Sequence, residues 1–194
     1  AIMAGTGVAA RHGILIKDAR ALELVHAVRT VAFDKTGTLT QGRPALVALQ
    51  PAPGLQEEAL LRLAAALQQN SAHPLAQAVL DAVRTRGVPV PPAHNAQALP
   101  GRGVEGLIQG HRVALGSSRL LQELGADPGA LLPAATRLEA EGRTIAWLVD
   151  RTAAPATALG LLAFGDLVKP QARAAVQRLR QLGITSVMLT GDNQ

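Results

Sequence analysis

Apolar and polar residues follow one another along the chain in patterns that predict strands and helices separated by glycine- and proline-containing turns. The β-branched and aromatic run at residues 30–33 is typical of a buried parallel strand, and the carboxylate of Asp34 follows it directly. Apolar residues three and four positions apart predict helices over residues 57–69 and 71–86. Glycine interspersed with apolar residues predicts an antiparallel meander over residues 96–116. The other predicted elements are strands at 14–16, 144–150, 158–164 and 185–189, and helices at 18–28, 118–124, 128–141 and 170–182.

Turn and capping residues indicate where several of these elements begin. Asp18 and Ser71 have side chains that cap helices, and Pro74 suits a first helical turn because proline costs little there. Gln109 and Gly110 lie between two apolar runs and predict a hairpin turn.

Two strand-and-loop segments of one type, residues 13–47 and 158–194, flank an α+β block. The simplest arrangement is one discontinuous α/β domain interrupted by a second domain over residues 48–157, whose length is common for a domain. Residues 1–12 are first small and uncharged and then basic, which is typical either of a buried helix or of the end of a membrane helix with positive flanks.

Composition narrows the function classes. The formal net charge is +5, but basic residues are scattered and aromatic residues make up only 2% of the chain, which argues against nucleic acid as a partner. Attraction to a polyphosphate or to an anionic membrane explains the charge as well. The chain contains no cysteine, which excludes disulfides and cysteine-based metal sites within it, and no apolar run reaches the ~18 residues of a membrane span.

The strongest chemical signal is the heptapeptide Asp-Lys-Thr-Gly-Thr-Leu-Thr at residues 34–40. Ligands gather at the carboxyl ends of strands in open α/β sheets, so Asp34 is well placed as a nucleophile, with Lys35 and the loop N–H groups facing a phosphate. The heptapeptide resembles the phosphorylation motif of P-type ATPases, the ion pumps that pass through an aspartyl-phosphate.

That resemblance implies catalysis by Asp34, Lys35 and Thr36. Asp34 would accept the γ-phosphate of ATP, and Mg2+ would take oxygens from Asp34 and from the main chain of Thr36. Haloacid-dehalogenase-type phosphatases of the same superfamily usually carry a second aspartate two residues after the nucleophile. Thr36 stands there in this chain, so hydrolysis of the acyl-phosphate should be slow, which favours a pump over a phosphatase.

Two later segments extend the resemblance. Thr190, Gly191 and Asp192 resemble the second phosphate-site motif of the superfamily, whose hydroxyl and N–H groups hold the transferred phosphoryl group. The segment 166–170 looks like the family's hinge, with an acid and a base between domains, although Asp166 suits a plain helix cap equally well.

The inserted block resembles the heavy-metal branch of the family. Ser-Ala-His-Pro-Leu at residues 71–75 matches its His-Pro motif, Gly-Arg-Gly at 101–103 matches its Gly-x-Gly, and Gly-Ser at 116–117 replaces its Gly-Asn. Gln68 stands where that branch often has glutamate. The resemblance implies an adenine-nucleotide pocket in which the glycines let the nucleotide approach the backbone and His73 meets the base. Its implied residues are Gln68, His73, Gly101, Gly103, Gly116 and Ser117.

Together these resemblances imply a haloacid-dehalogenase-like, Rossmann-type phosphorylation domain that is discontinuous and truncated at its C-terminal end. An α+β nucleotide-binding domain with an antiparallel sheet flanked by helices would be inserted in it. Residues 1–12 would end a membrane helix or stalk, 13–47 and 158–194 would form the phosphorylation domain, and 48–157 the nucleotide-binding domain. The family's Gly-Asp-Gly-x-Asn-Asp magnesium motif and Cys-Pro transport motif do not occur in the 194 residues, so we expect a fragment.

The implied activity is ATP-driven transport of a heavy-metal cation at the cytoplasmic face of a bacterial inner membrane, with ATP and Mg2+ as cofactors. Residues 1–7 and 13–17 look more like the copper pumps than the zinc or cadmium pumps. Two alternatives remain. One is a nucleotide-binding module without catalysis. The other is a soluble phosphatase of the same fold, which predicts Asp at position 36, a smaller insert and no His-Pro pattern.

Overall fold

The computed structural model describes residues 2–18, 20 and 24–189, without the side chains of residues 2–4. In chain order its elements are α1 (Ile2–Arg11), β1 (Thr30–Asp34), β2 (Thr40–Pro51), α2 (Glu57–Gln68), α3 (Pro74–Arg86), β3 (His94–Leu99), β4 (Gly103–Ile108), β5 (His111–Gly116), α4 (Ser118–Glu123), α5 (Leu132–Ala140), β6 (Thr144–Asp150), β7 (Thr157–Val168), α6 (Pro170–Gln181) and β8 (Thr185–Leu189). A wide turn at Lys35–Leu39 follows β1, and a 3-10 turn at Gly129–Leu131 precedes α5. No helix of this described part is both long enough and apolar enough to cross a bilayer.

The chain divides into two compact units, and the first is discontinuous in sequence. It contains the described residues up to 39 and those from 168 onward, and the second unit contains residues 40–167. These divisions differ from the expected ones at 47/48 and 157/158. The reason is that β2 and residues 157–167 of β7 belong to the second unit, in whose sheet both strands lie.

In the first unit, β1 and β8 pair in parallel although about 150 residues separate them in sequence. Their register runs from Thr30 opposite Thr185 to Asp34 opposite Leu189. The chain therefore leaves both strands at the same sheet edge. Pro170 occupies the first turn of α6, as the sequence predicts for a helix start.

The second unit is built on a six-stranded sheet with the strand order β2-β7-β6-β5-β4-β3. The pairs β3–β4, β4–β5, β5–β6 and β6–β7 are antiparallel, which confirms the predicted meander and the flanking strands. The β4–β5 hairpin turns at Gln109 and Gly110, whose φ angles of 50° and 87° suit a tight two-residue hairpin turn.

Strands β6 and β7 are buried on both faces of this sheet, which explains why they are almost continuously apolar. Leu148 and Leu162 belong to a core with residues of α2 and α3. Trp147 and Leu161, one position earlier in each strand, belong to a second core with residues of α4 and α5. Because successive strand residues point to opposite faces, each strand supplies both cores.

Several sequence predictions are wrong in detail. Residues 14–16 form no strand, and Leu15 is 86% exposed. The sequence does not predict strand β2, because glycine at position 42 and proline at position 44 argue against a strand. The strand forms nevertheless because β2 lies at a sheet edge, where proline is tolerated. The predicted helix at 18–28 falls partly outside the described residues, but Asp18 accepts a hydrogen bond from the Arg20 N–H at 2.9 Å.

A close backbone contact at the start of β4 requires glycine. Gly103 pairs with Gly116, and a Cβ on Gly103 would lie 2.1 Å from the Leu115 carbonyl oxygen. A Cβ on Gly116 would lie 2.2 Å from the carbonyl oxygen of Arg102. Neither contact can be relieved by a side-chain rotation, because both partners are main-chain atoms.

Gly101, two residues earlier, provides a comparison. Its φ is +68°, and nothing lies within 4 Å of a Cβ built there, so a substitution would strain the backbone without a steric clash. We predict that Gly103→Ala lowers the free energy of unfolding by at least about 2 kcal/mol through overpacking. Gly101→Ala should cost only about 1 kcal/mol, from its left-handed backbone. Urea unfolding followed by the fluorescence of the single tryptophan, the buried Trp147, measures both. Equal losses in the two variants would contradict this reading of the contact.

Candidate functional site

Polar residues of the second unit converge on one cavity of about 580 Å³. It lies among the C-terminal end of α2, the start of α3, the β3–β4 turn and the junction of β5 with α4. Apolar side chains such as Leu99 and Ile145 form part of its wall. Its lining includes all six residues that the sequence suggested for a pocket, namely Gln68, His73, Gly101, Gly103, Gly116 and Ser117.

His73 is fixed in position because it caps helix α3. Its Nδ1 accepts a hydrogen bond from the Leu75 N–H at 3.2 Å, and its own N–H donates to Ser71 Oγ at 3.3 Å. The cap is therefore His73 rather than the predicted Ser71, whose hydroxyl instead supports the residue before the helix. With Nδ1 engaged as an acceptor, the neutral ring carries its proton on Nε2. The exposed imidazole thus offers the cavity a ring face and one N–H donor.

Gln68 and its neighbour Gln69 differ in what their amides contact. Gln69 is exposed, and its side-chain NH2 donates to the Pro91 carbonyl at 3.4 Å. Gln68 is half-buried and lines the cavity, and the described residues provide its side-chain amide with no hydrogen-bond partner. The Gln68 amide is therefore available to a ligand, whereas the Gln69 amide is engaged in a hydrogen bond to the main chain of Pro91.

The glycines of the cavity have two different roles. The family resemblance implies that both glycines of the Gly-Arg-Gly turn let a ligand approach the backbone. Gly103 is instead required by its contact with the backbone of β5, whereas the space beside Gly101 is open. The Arg102 carbonyl also accepts a hydrogen bond from the Ser117 N–H at 2.9 Å, which joins the turn to the end of β5.

Positive charge collects beside this turn, a feature that sequence reasoning missed. Glu123 accepts hydrogen bonds from Arg102 at 3.1 Å and from Arg119 at 2.9 Å. These bonds hold the pKa of the Glu123 carboxyl below its ordinary value. Two guanidinium groups share one carboxylate, so the cluster keeps a net positive charge. The four-residue spacing of Arg119 and Glu123 along a helix predicts their ion pair from sequence. The ion pair between Glu123 and Arg102 depends on the fold.

A second polar group lies in the first unit, in the turn after β1. Asp34 is exposed at the carboxyl end of that strand. Gly37 has a φ of 77°, and its carbonyl accepts a 2.6 Å hydrogen bond from Lys169 Nζ. The Lys169 N–H also donates to the Leu39 carbonyl at 2.9 Å. Lys169, for which the sequence indicates only a place in a hinge-like segment, therefore holds the turn at two points.

Asp166 is not the helix cap that one interpretation of the sequence suggested. It lies within β7, and its carboxylate accepts hydrogen bonds from Thr40 Oγ1 at 2.5 Å and from the Gly42 N–H at 3.0 Å. Asp166 therefore joins β7 to the start of β2 within the second unit, and Lys169 is the residue that precedes α6.

The other predicted site residues are placed only in part. Thr190, Gly191 and Asp192 lie outside the described residues, although they follow Leu189, which is paired with Asp34. Within residues 2–18, 20 and 24–189, no three His, Cys, Asp or Glu side chains come together as a metal-binding group. The predicted oxygen donors at Asp34 and Thr36 lie two residues apart in one exposed turn, and oxygen is the donor type that Mg2+ prefers.

Known proteins resemble the chain over its whole length. A copper-transporting P-type ATPase of Rhizobium leguminosarum bv. viciae is 42% identical over 193 residues, which cover 100% of this chain and 22% of the relative. A zinc/cadmium/lead-transporting P-type ATPase of Shigella sonnei is 40% identical over 194 residues, covering 100% of this chain and 25% of the relative. The crystal structure of a zinc-transporting PIB-type ATPase has a TM-score of 0.88 and 39% identity, and covers 100% of this chain and 30% of that one.

The chain thus spans about a quarter of the length of the curated relatives it matches. The model of a family described as haloacid dehalogenase-like hydrolase matches residues 28–194, a range that contains the heptapeptide and the whole second unit. The chain therefore belongs to the haloacid dehalogenase-like hydrolase family, and within it to the heavy-metal P-type ATPases.

Proposed function

We propose that the chain is the ATP-binding and phosphorylation region of a P-type ATPase that transports a heavy-metal cation, with copper favoured by the N-terminal sequence. One observation carries this proposal. A single cavity is lined by all six residues, between positions 68 and 117, that the sequence predicts for a nucleotide pocket. A volume of about 580 Å³ is within the usual range for small-molecule sites.

The cavity suits a nucleotide in both its polar and its apolar parts. The His73 ring would stack on adenine or donate to it from Nε2, and the unpaired Gln68 amide would bond the edge of the base. The open backbone at Gly101 would allow a close approach of the ligand. The net positive cluster of Arg102, Arg119 and Glu123 would favour the triphosphate, because opposite charges attract across the rim.

The turn after β1 would receive the phosphoryl group. A carboxylate oxygen of Asp34 would attack the γ-phosphorus, the bond to the bridging oxygen would break, and ADP would leave. Lys35 would attract the phosphoryl oxygens, and Mg2+, held by the Asp34 carboxylate and the Thr36 main-chain oxygen, would supply further positive charge. With threonine at position 36, no carboxylate there would activate a water, so the acyl-phosphate would persist long enough to drive a transport cycle.

Lys169 would act as a positioning residue for this step. Its bond to the Gly37 carbonyl fixes the peptide in the middle of the turn and so sets the direction of the neighbouring N–H groups. Small displacements of such groups cost large factors in rate, because phosphoryl transfer depends on orientation.

A nucleotide-binding module without catalysis is the second candidate. Its support is that no three His, Cys, Asp or Glu side chains come together among the described residues. A soluble phosphatase has less support, because Thr36 and the His-Pro motif both depart from its expected pattern. A transported metal ion and a membrane would be partners of the whole protein, at the cytoplasmic face of a bacterial inner membrane.

Incubation with γ-labelled ATP and Mg2+ tests the proposal. We predict an acid-stable, hydroxylamine-labile label on the chain, because an acyl-phosphate has that chemistry. Asp34→Asn should abolish the label, and Asp81→Asn, at an exposed aspartate of helix α3, should retain it. Nucleotide binding without label in any variant would contradict the enzyme and leave the binding module.

The role of Lys169 predicts a second result in the same assay. Lys169→Met should slow labelling by roughly tenfold or more and lower the 15N order parameters of Gly37 and Thr38, since the turn loses its side-chain support. Lys169→Arg should restore part of both, and Lys17→Met, at an exposed lysine of the same unit, should change neither. A normal labelling rate in Lys169→Met would rule out the positioning role.

A further inference from the structure

Positive charge is unevenly divided between the two units. Residues 1–39 and 168–190, which form the first unit, contain nine Lys or Arg and three Asp or Glu, a formal net charge of +6. The rest of the chain contains ten Lys or Arg and eleven Asp or Glu, a formal net charge of −1. The positive charge of the whole chain therefore belongs to the first unit, and it attracts anionic partners to that unit.

Part of this charge collects at the amino-terminal edge of the β1–β8 sheet. The two strands are parallel, so both begin at this edge. A short turn joins α6 to β8 and the helix packs against that strand, so the last turn of α6, which carries Arg178 and Arg180, returns to the same edge. Arg29 completes the group, because its carbonyl accepts a hydrogen bond from the Thr185 N–H, at the start of β8, at 2.8 Å.

The three guanidinium groups are available to a partner. Arg29, Arg178 and Arg180 are exposed, and none of them forms an ion pair within the described part of the chain. Two arginines in the last turn of α3 differ in this respect, since Arg84 and Arg86 each contact an acidic side chain, at 2.8 Å and 3.5 Å. The dipole of α6 favours cations at its C-terminal end, but it does not neutralise their charge.

Apolar side chains are exposed beside these arginines. Leu182, in the turn between α6 and β8, is 67% exposed. Leu24 and Val25, a few residues before Arg29, are 59% and 60% exposed. The one Phe, Tyr or Trp of the first unit is Phe33, near the other end of β1, so this edge has no such ring on which a nucleic-acid base could stack. Basic and apolar groups side by side suit the surface of an anionic bilayer.

We propose that this amino-terminal edge, formed by Arg29, Arg178, Arg180 and Leu182, is a docking surface for a bilayer that contains anionic phospholipids. The arginines contact the headgroup phosphates, and Leu182 enters the boundary between headgroups and acyl chains. Asp34 lies at the opposite end of β1, so docking leaves its carboxylate accessible. The inference goes beyond the proposed reaction and does not depend on the cavity of the second unit.

Co-sedimentation of the 194-residue chain with lipid vesicles tests this proposal. The chain should bind vesicles of equimolar phosphatidylglycerol and phosphatidylcholine at least about tenfold more strongly than vesicles of phosphatidylcholine alone. Added salt should reduce the difference, because it screens the attraction between exposed charges. Equal binding to the two kinds of vesicle, or binding to neither, would overturn the proposal.

A pair of double variants locates the surface. Combining Arg178→Gln with Arg180→Gln should weaken binding to the anionic vesicles at least about tenfold, since each arginine near such a surface contributes about a factor of five. Arg84→Gln with Arg86→Gln is the matched control, because it removes the same charge at the same spacing from the last turn of α3. Its binding should stay within about twofold of the unaltered chain. Equal losses in the two double variants would show that overall charge, and not this edge, attracts the vesicle.

Leu182→Asn separates a bilayer from a soluble polyanion. The side chain is exposed, so the variant should keep the circular dichroism spectrum of the unaltered chain. Its binding to the anionic vesicles should fall at least about threefold, because less apolar surface leaves water. Its binding to single-stranded DNA should not change, because that contact needs only the cations. A loss for both ligands, or for neither, would contradict insertion of Leu182 into the bilayer.

Two further outcomes set the inference apart from its rivals. If single-stranded DNA binds more tightly than the anionic vesicles and through the same arginines, the surface serves nucleic acid and the proposal is wrong. Vesicle binding without labelling by ATP would support this inference and not the proposed function. Labelling without vesicle binding would do the reverse.

Discussion

The second unit depends on a close approach of two backbones where β4 begins and β5 ends. Gly103 lies opposite Gly116, and the Arg102 carbonyl accepts a hydrogen bond from the Ser117 N–H. Only a residue without a side chain fits at either glycine. This contact places the Gly-Arg-Gly turn beside the start of α4 and thereby builds one wall of the cavity. The same contact brings Arg102 within reach of Glu123 and creates the positive cluster at the rim.

The two units supply different parts of the proposed chemistry. The first presents an exposed carboxylate on a turn that a lysine from the start of α6 holds in place. The second presents a cavity whose walls are apolar and whose polar groups are mostly amides, hydroxyls and main-chain atoms. The proposed nucleophile and the proposed nucleotide cavity are therefore built from separate parts of the sequence. That arrangement suits a protein in which binding of a nucleotide and transfer of its phosphoryl group are distinct steps.

Most of the fold was readable because local patterns determine it. Helices α2 and α3 follow from apolar spacing, and the β4–β5 hairpin follows from Gln109-Gly110. Strand β2 was missed because its glycine weakens a strand and its proline is tolerated in a strand mainly at a sheet edge, and edge position depends on the whole topology. Short motifs pointed to the cavity residues, but not to the reason for Gly103, which depends on a backbone contact with β5. The partners of Lys169 and of Arg102 lie 132 and 21 residues away, beyond the reach of local pattern.

The central claim is that ATP occupies the cavity of the second unit, and a nuclear magnetic resonance titration tests it most directly. Trp147 is a built-in reporter, because its indole N–H donates to Ser118 Oγ, next to a lining residue. ATP should shift the amide signals of Gly101 and Ser117 and the Trp147 indole signal. The shifts should be lost in His73→Ala and kept in His94→Ala, at an exposed histidine outside the cavity lining. Unchanged signals at these three groups, or shifts that survive in His73→Ala, would contradict the account.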